Sequence, residues 1–249
     1  MTQDTPNPTL SKESVGVCGA APADSESSNR TMRAGAGYAL FIDLSGQDVV
    51  VIGGGPVAER KVQTVLPFGA KITVVSPEIT EGLKALALAG RISWLERTYQ
   101  KGDLAAARMV FSACGNPQVD DEVCEEAHAV RALINVVDVP DKCEFIVPST
   151  VERGPLRIAV STSGCAPTEA KRIRRSLEDE FDASWEPYLE LMQEVRVLVK
   201  ERVVGPESVR KPIFEAAANA GWRERLAAGE VITPESAYAE AARQAGVSL

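Results

Sequence analysis

The chain has a single histidine in 249 residues, and its five cysteines (Cys18, Cys114, Cys124, Cys143 and Cys165) form no C-x-x-C pair. An odd number without that spacing supports neither a disulfide framework nor a zinc site. We therefore expect a cytoplasmic protein with no metal of its own. Apolar runs stay well short of the roughly 18 residues that a membrane span requires, so no membrane partner is expected. Positive charge is in deficit: 27 Lys and Arg against 35 Asp and Glu leave a net charge of −8. That balance argues against nucleic acid as the main partner, and an acidic substrate would need a local basic patch. A basic-then-apolar leader is missing too, so a signal peptide is not expected. Residues 1–36, rich in Ser, Pro, Asn, Ala and Gly with scarcely any apolar periodicity, are expected to form a disordered tail.

What is present has the composition of an ordinary globular protein, 45% hydrophobic and 25% charged. Its centre is the stretch Val49 to Lys61, VVVIGGGPVAERK. Four β-branched residues make a short apolar strand of the kind a parallel sheet buries on both faces. Gly53 then permits a tight turn, Gly55 leaves room for a pyrophosphate, and Ala58 is small enough for the new helix to pack on the strand. The helix N-terminus offers free N–H groups and a positive dipole end to phosphate. This G-x-G-x-x-A pattern in a strand–turn–helix setting points to a dinucleotide, the alternative being a plain tight turn. The loop lacks the G-K-[ST] ending of triphosphate-binding loops, which argues against kinase or ATPase chemistry.

Strands and helices alternate on either side of it. Tyr38–Ile42 is expected as a short edge strand, and strands are expected at 71–75, 92–95, 109–113 and 133–137, with helices after the glycine turn and at 117–129. The pattern predicts right-handed βαβ units and a Rossmann-like, doubly wound parallel sheet. Ligands in such sheets lie beyond the carboxyl ends of the strands. Ser76, Pro77 and Glu78 fall where an adenosine ribose should meet the protein. Glu78 is about 20 residues past the glycine turn, the usual distance for a carboxylate on the 2′-hydroxyl, which favours NAD over NADP. The alternative role for Glu78 is an acid at a helix start. Two further strand ends stand out, Ser112–Asn116, which puts Asn116 at the cofactor crevice, and Asn135–Asp138.

After Pro140 the pattern changes. β-rich runs at 145–151 and 156–160, joined by Glu152-Arg153-Gly154-Pro155, predict a hairpin. A small polar loop, Ser161-Thr162-Ser163-Gly164-Cys165-Ala166-Pro167, leads into a basic helix carrying Lys171, Arg172, Arg174 and Arg175. Helices are expected at 187–203, 206–228 and 234–245, the last with Thr233 as N-cap and Pro234 at its first position. The units are taken as 37–142, 143–170 and 171–249. Asp138 ends an apolar strand where a hydride acceptor needs a proton-handling partner; its alternative role is to cap a turn before proline. His128 sits late on an amphipathic helix and reads as structural. Hydroxyls, a helix start and cations between Ser161 and Arg175 suit carboxylates or phosphates, the alternative being a solvated charged face.

Together these residues resemble one family, the siroheme-synthesis dehydrogenases that oxidise precorrin-2 to sirohydrochlorin. Its members occur alone, as dehydrogenase–ferrochelatases, or as the N-terminal part of a multifunctional siroheme synthase. The resemblance rests on residues 51–61 (VIGGGPVAERK), 135–140 (NVVDVP), 145–149 (FIVPS) and 158–167 (IAVSTSGCAP), in the family's order and spacing. It implies NAD as cofactor, precorrin-2 as substrate, and a homodimer interleaved through the central segment. NAD contacts in the family map onto Pro56-Val57 and Pro77-Glu78, and the family's key acid onto Asp138. Substrate contacts are expected from Ser161, Thr162, Ser163, Gly164, Lys171 and Arg172, with no metal ligands. The chain departs from the family's S-S-G-G-T-S-P loop, reading STSGCAP. Two other readings stand beside this one: an enzyme that also inserts Fe2+ into sirohydrochlorin, and a non-catalytic NAD-sensing module.

Overall fold

The computed structural model describes residues 37–247, so the expected tail 1–36 lies outside the described residues. Five parallel strands form the main sheet: β1 (Asp48–Ile52), β2 (Lys71–Val75), β3 (Ser93–Leu95), β4 (Met109–Ser112) and β5 (Leu133–Val136). Their order is β3-β2-β1-β4-β5, with β1 at the centre. Alternation along β1 sends Val49 and Val51 into one core and Val50 and Ile52 into another, and all four are buried. This two-sided burial is why the strand is apolar throughout. Helices α1 (Pro56–Val65), α2 (Glu81–Leu88) and α3 (Pro117–Val130) flank the sheet. The strand order reverses between β1 and β4, which creates the crevice where ligands of such folds bind.

The second part follows as a hairpin, β6 (Ser149–Arg153) with β7 (Leu156–Val160), antiparallel and separate from the main sheet. Helices α4 (Pro167–Glu180), α5 (Trp185–Arg202), α6 (Glu207–Ala218), α7 (Trp222–Ala227) and α8 (Pro234–Gln244) complete the described chain. Helix α4 packs on the hairpin. Leu191, Val195 and Val199 of α5 join Ile213, Trp222 and Tyr238 in a third core. Thr233 caps α8 in a reciprocal capping box with Ser236, and Pro234 takes the first helical position. The expected fold class, a Rossmann-like parallel sheet followed by a small β segment and a helical region, is the observed one. No helix among the described residues is long and apolar enough to cross a membrane.

Three expected elements differ. Tyr38–Ile42 forms no strand, and Tyr38 and Phe41 are exposed. Alternation alone does not make a strand without a partner edge, and the segment pairs with neither β3 nor β5. The strand expected over 145–151 is confined to Ser149–Arg153. Pro148 has no N–H to donate, and Phe145 is drawn off to pack edge-on against Phe111, with ring centres 5.5 Å apart. The helix expected over 206–228 is two helices, broken before Gly221, whose φ of 68° is left-handed.

Candidate active site

The glycine turn is built by contacts from three directions. Gly53 donates its N–H to the Val75 carbonyl (2.9 Å), and its φ is 111°. A Cβ on Gly53 would stand 2.5 Å from the Ala113 carbonyl oxygen, so the backbone just after β4 closes over it. Gly54, which the G-x-G-x-x-A spacing leaves unassigned, is the tightest position. A Cβ there would run into the Glu78 carbonyl oxygen and lie 2.7 Å from Ile79 Cγ2 and 2.8 Å from Ser76 Oγ. Thr80 N–H donates to the Gly54 carbonyl (3.0 Å), locking the turn to the loop after β2. Gly55 has open space where its side chain would be. It precedes α1 without any side-chain cap, Pro56 follows at the first position, and Ala58 is wholly buried. The N–H groups of Val57 and Ala58 are thus among those that a helix start leaves for an outside acceptor. The cradle fits a pyrophosphate: closed below by Gly53 and Gly54, open above Gly55.

The same contacts settle where the ribose candidates stand. Ser76 is buried, and its hydroxyl donates to the Glu78 carbonyl (2.6 Å). It shapes the loop, and its O–H donor is committed to that carbonyl. Pro77 and Glu78 are exposed beside the glycine turn. Glu78 does not start the next helix, since Thr80 caps α2 and Glu81 begins it. Thr80 also donates to Glu59 of α1 (2.6 Å), a tie between the two helices that local spacing could not reveal. Gly82 leaves room for this carboxylate, because a Cβ there would be 2.7 Å from Glu59 Cδ.

Across the crevice, β4 ends at Ser112, whose buried hydroxyl donates to Asp120 Oδ1 (2.5 Å). Asn116 is exposed and caps α3, accepting from Gln118 N–H (3.1 Å). Asp138 follows β5 in a left-handed conformation (φ 61°), at a turn in which Val139 N–H donates to the Val136 carbonyl (3.3 Å). Asp is among the few non-glycine residues that tolerate that backbone. The turn is buttressed from behind. Val137 N–H donates to the Ser112 carbonyl (2.9 Å), and Cys143 Sγ donates to the carbonyls of Val136 (3.2 Å) and Val139 (3.4 Å). Asn135 Nδ2 donates to the Phe145 carbonyl (2.9 Å). Burial pushes the Cys143 thiol up, outweighing its hydrogen bond to Val136 and the nearby Lys61 cation, so it stays a protonated donor. Asp138 itself is exposed at the carboxyl edge of the sheet. The role of Cys143 was not foreseen, and its only sequence signal is its place five residues after the acid.

The hydroxyl loop stands apart, on the separate hairpin. Ser161 Oγ accepts from Ser163 N–H (3.0 Å) and Thr162 Oγ1 from Ala166 N–H (3.2 Å). Ser163 (φ 52°) and Gly164 (φ 81°) are both left-handed. Of the four cations on α4, Arg172 is held by Glu169 (Nε at 3.0 Å) and Arg174 by Glu178. Lys171 and Arg175 are exposed and have no carboxylate within 4.0 Å among the described residues. No hydrogen bond joins this loop to the Asp138 turn among the described residues. His128 is exposed near Glu144 (3.7 Å), away from the glycine turn. No group of three or more His, Cys, Asp or Glu among the described residues is placed to hold a metal ion.

Comparison with known proteins agrees with this geometry. Residues 40–149 match a family model described as putative NAD(P)-binding, and residues 153–180 match the sirohaem biosynthesis protein central model. The siroheme synthase of Xylella fastidiosa is 38% identical over 196 residues, covering 78% of this chain and 41% of the relative. That of Stutzerimonas stutzeri is 33% identical over 209 residues, covering 84% and 44%. The chain thus spans less than half the length of these curated relatives. Among solved structures, "SirC, precorrin-2 dehydrogenase" superposes with a TM-score of 0.64 at 24% identity, covering 83% of this chain and 99% of that one. In chain order, the parallel sheet is thus similar to NAD(P)-binding proteins, and β7 with α4 is similar to the central part of sirohaem-biosynthesis proteins.

Proposed function

We propose that the protein oxidises precorrin-2 to sirohydrochlorin with NAD+ as the oxidant, in siroheme biosynthesis. The observation that carries this reading is the exposed Asp138 carboxylate, held on a buttressed left-handed turn at the same sheet edge as the glycine turn. The similar proteins, a siroheme synthase and a precorrin-2 dehydrogenase, suggest the substrate. Bound NAD+ is the hydride acceptor of the reaction. The chain's own residues do the rest. Val57 and Ala58 N–H groups bind the pyrophosphate at the start of α1, and Glu78 takes the ribose 2′-hydroxyl, which favours NAD over NADP. Oxidation of the macrocycle releases a hydride and a proton, and Asp138 accepts the proton. Ser161 to Gly164, Lys171 and Arg175 bind carboxylate side chains of the tetrapyrrole, while Arg172 orders the helix start through Glu169.

The working protein in this reading is a cytoplasmic homodimer. Ile146, Val147 and Ile173 are exposed on the central segment and α4, an apolar surface that a second copy would cover. The described cysteines, Cys114, Cys124, Cys143 and Cys165, are free thiols, as a reducing compartment keeps them. The units are the NAD-binding domain 37–142, the central segment 143–170 and the helical region 171–249.

The test is an anaerobic assay with precorrin-2 and NAD+, following NADH and the sirohydrochlorin spectrum. Replacing Asp138 by Asn should lower turnover by about 10²–10⁴-fold, the usual worth of a positioned acid or base, while NAD affinity stays within about twofold of the parent. Unchanged turnover in that variant would remove Asp138 from the chemistry. Adding Fe2+ or Co2+ as substrate after the oxidation separates a dehydrogenase from one that also inserts metal.

A further inference from the structure

Lys61 lies on the second turn of α1, and its Nζ stands 5.4 Å from the centre of the Phe111 ring. Phe111 is buried in β4, paired in register with Val51 of β1 and Asn135 of β5. Its ring also meets Phe145, whose carbonyl Asn135 holds. The ammonium is therefore set against the group of residues that buttresses the Asp138 turn, with both Asp138 and Cys143 within electrostatic reach.

What the ammonium lacks is an acceptor. It carries three N–H donors, yet among the described residues it makes no hydrogen bond and has no carboxylate within 4.0 Å. The nearest acid in sequence, Glu59, is committed to Thr80 and Gln63. Lys61 is half-buried, and that burial, followed by the adjacent Arg60 charge, draws its pKa below the ordinary lysine value, against the opposing pull of Cys143 and Asp138. The Phe111 face attracts a cation but satisfies its donors poorly. A charge half withdrawn from water without a partner is costly unless an anion completes it.

We propose that Lys61 is a substrate-anchoring residue, its ammonium taking one carboxylate side chain of the tetrapyrrole beside Asp138. This rests on the reading of the site given under Proposed function, and adds a contact on the sheet side, opposite in origin to the hydroxyl loop. A cation placed there fixes the macrocycle relative to the acid that takes its proton, which exposed cations on α4 do not do by themselves.

The experiment compares K61Q and K61R with the parent in the anaerobic precorrin-2 assay, with NAD affinity and sirohydrochlorin affinity measured by titration. We expect K61Q to raise the KM for precorrin-2 and weaken sirohydrochlorin binding by about tenfold, with kcat changed by less than about threefold, the signature of lost uniform binding. K61R should fall between the two, and NAD affinity should not move. An unchanged KM and sirohydrochlorin affinity in K61Q would overturn the proposal, as would a loss of NAD affinity equal to the loss of tetrapyrrole affinity. A parent protein that neither forms NADH nor binds sirohydrochlorin would instead sink the functional reading, and this inference with it.

Discussion

Of the loops that enter a helix through a proline at the first position, those at Pro56 and Pro167 make the sharpest comparison. Both use left-handed residues to make the turn, Gly53 in one, Ser163 and Gly164 in the other. They are held in opposite ways. The glycine turn is fixed by distant parts of the sheet domain: the Val75 carbonyl, the Ala113 carbonyl and the loop around Glu78. The hydroxyl loop is fixed by its own side chains, Ser161 and Thr162, each reaching no more than four residues along. A pyrophosphate needs a backbone surface of one shape, and long-range contacts supply it. Under the proposed function, the carboxylate side chains of a tetrapyrrole call for hydroxyls and cations that adjust, and we expect a self-held loop with Lys171 and Arg175, unpaired among the described residues, to offer them.

Breaking the first kind of loop should have the largest effect. Gly54→Val puts a branched side chain against the Glu78 carbonyl and Ile79, where backbone must move. We expect a loss of about 3 kcal/mol in stability or in NAD binding, near the upper end for a single substitution. By titration that reads as NAD affinity down by about 100-fold or more. Gly164→Ala meets open space, so only its left-handed backbone is strained, at about 1 kcal/mol. NAD affinity in Gly164→Ala should be unchanged. Equal effects of the two variants on NAD would mean that the glycine turn is not the cofactor cradle.

The contrast extends beyond the ligand loops. The segment from Tyr99 to Leu104 is anchored to Glu126 of α3, a buried carboxylate that accepts from Gly102 N–H (3.0 Å), Leu104 N–H (3.0 Å) and the Tyr99 hydroxyl. Burial pushes this carboxyl up, but the Tyr99 hydroxyl and the two N–H groups outweigh it and hold it below its ordinary value. A depressed folded-state pKa stabilises fully above the unfolded value, about 4.3, and that contribution is lost as pH falls through the folded value. Glu126→Ala leaves the buried Leu104 N–H and the half-buried Tyr99 hydroxyl without their partner and should cost about 2–3 kcal/mol at pH 7. Urea unfolding at pH 7, 5 and 3.5 checks it: the gap between parent and variant should narrow on acidification. A gap independent of pH would assign the loss to packing instead of the charge.

How much of this was legible in the sequence depended on the reach of each contact. The strand–turn–helix at 48–65 and the alternation of strands with helices could be read because period and turn chemistry are local. Gly53, Gly55 and Ala58 were read for the same reason. Gly54 was passed over because its neighbour, Glu78, is brought alongside only when β1 and β2 pair. Cys143 looked like a lone thiol until the chain curled back to place it under the Asp138 turn. The cations of α4 looked alike in sequence, since Glu169 and Glu178 are three and four residues from Arg172 and Arg174 on the helix, and rotamers decide which pairs close. Tyr38–Ile42 shows the reverse error, in which a strand-like pattern has no edge to join.

That sorting of the α4 cations gives the smallest effect and the finest test of the comparison. Arg172 is already paired with Glu169, so we expect R172Q to remove a charge that a substrate carboxylate does not meet. Lys171 and Arg175 are exposed and unpaired among the described residues, so K171Q and R175Q each remove a charge available to a substrate carboxylate. Exposed pairs of this kind contribute up to about 1 kcal/mol, or about fivefold in binding. We expect K171Q and R175Q each to raise the KM for precorrin-2 by about two- to fivefold, more at low salt than at high, since exposed charges are screened. R172Q should change KM by less than about twofold, within the scatter expected of an exposed, already compensated charge. If R172Q matched or exceeded the other two, the Glu169 pair must open when substrate arrives, and the loop would be adjustable in its charges as well as in its hydroxyls.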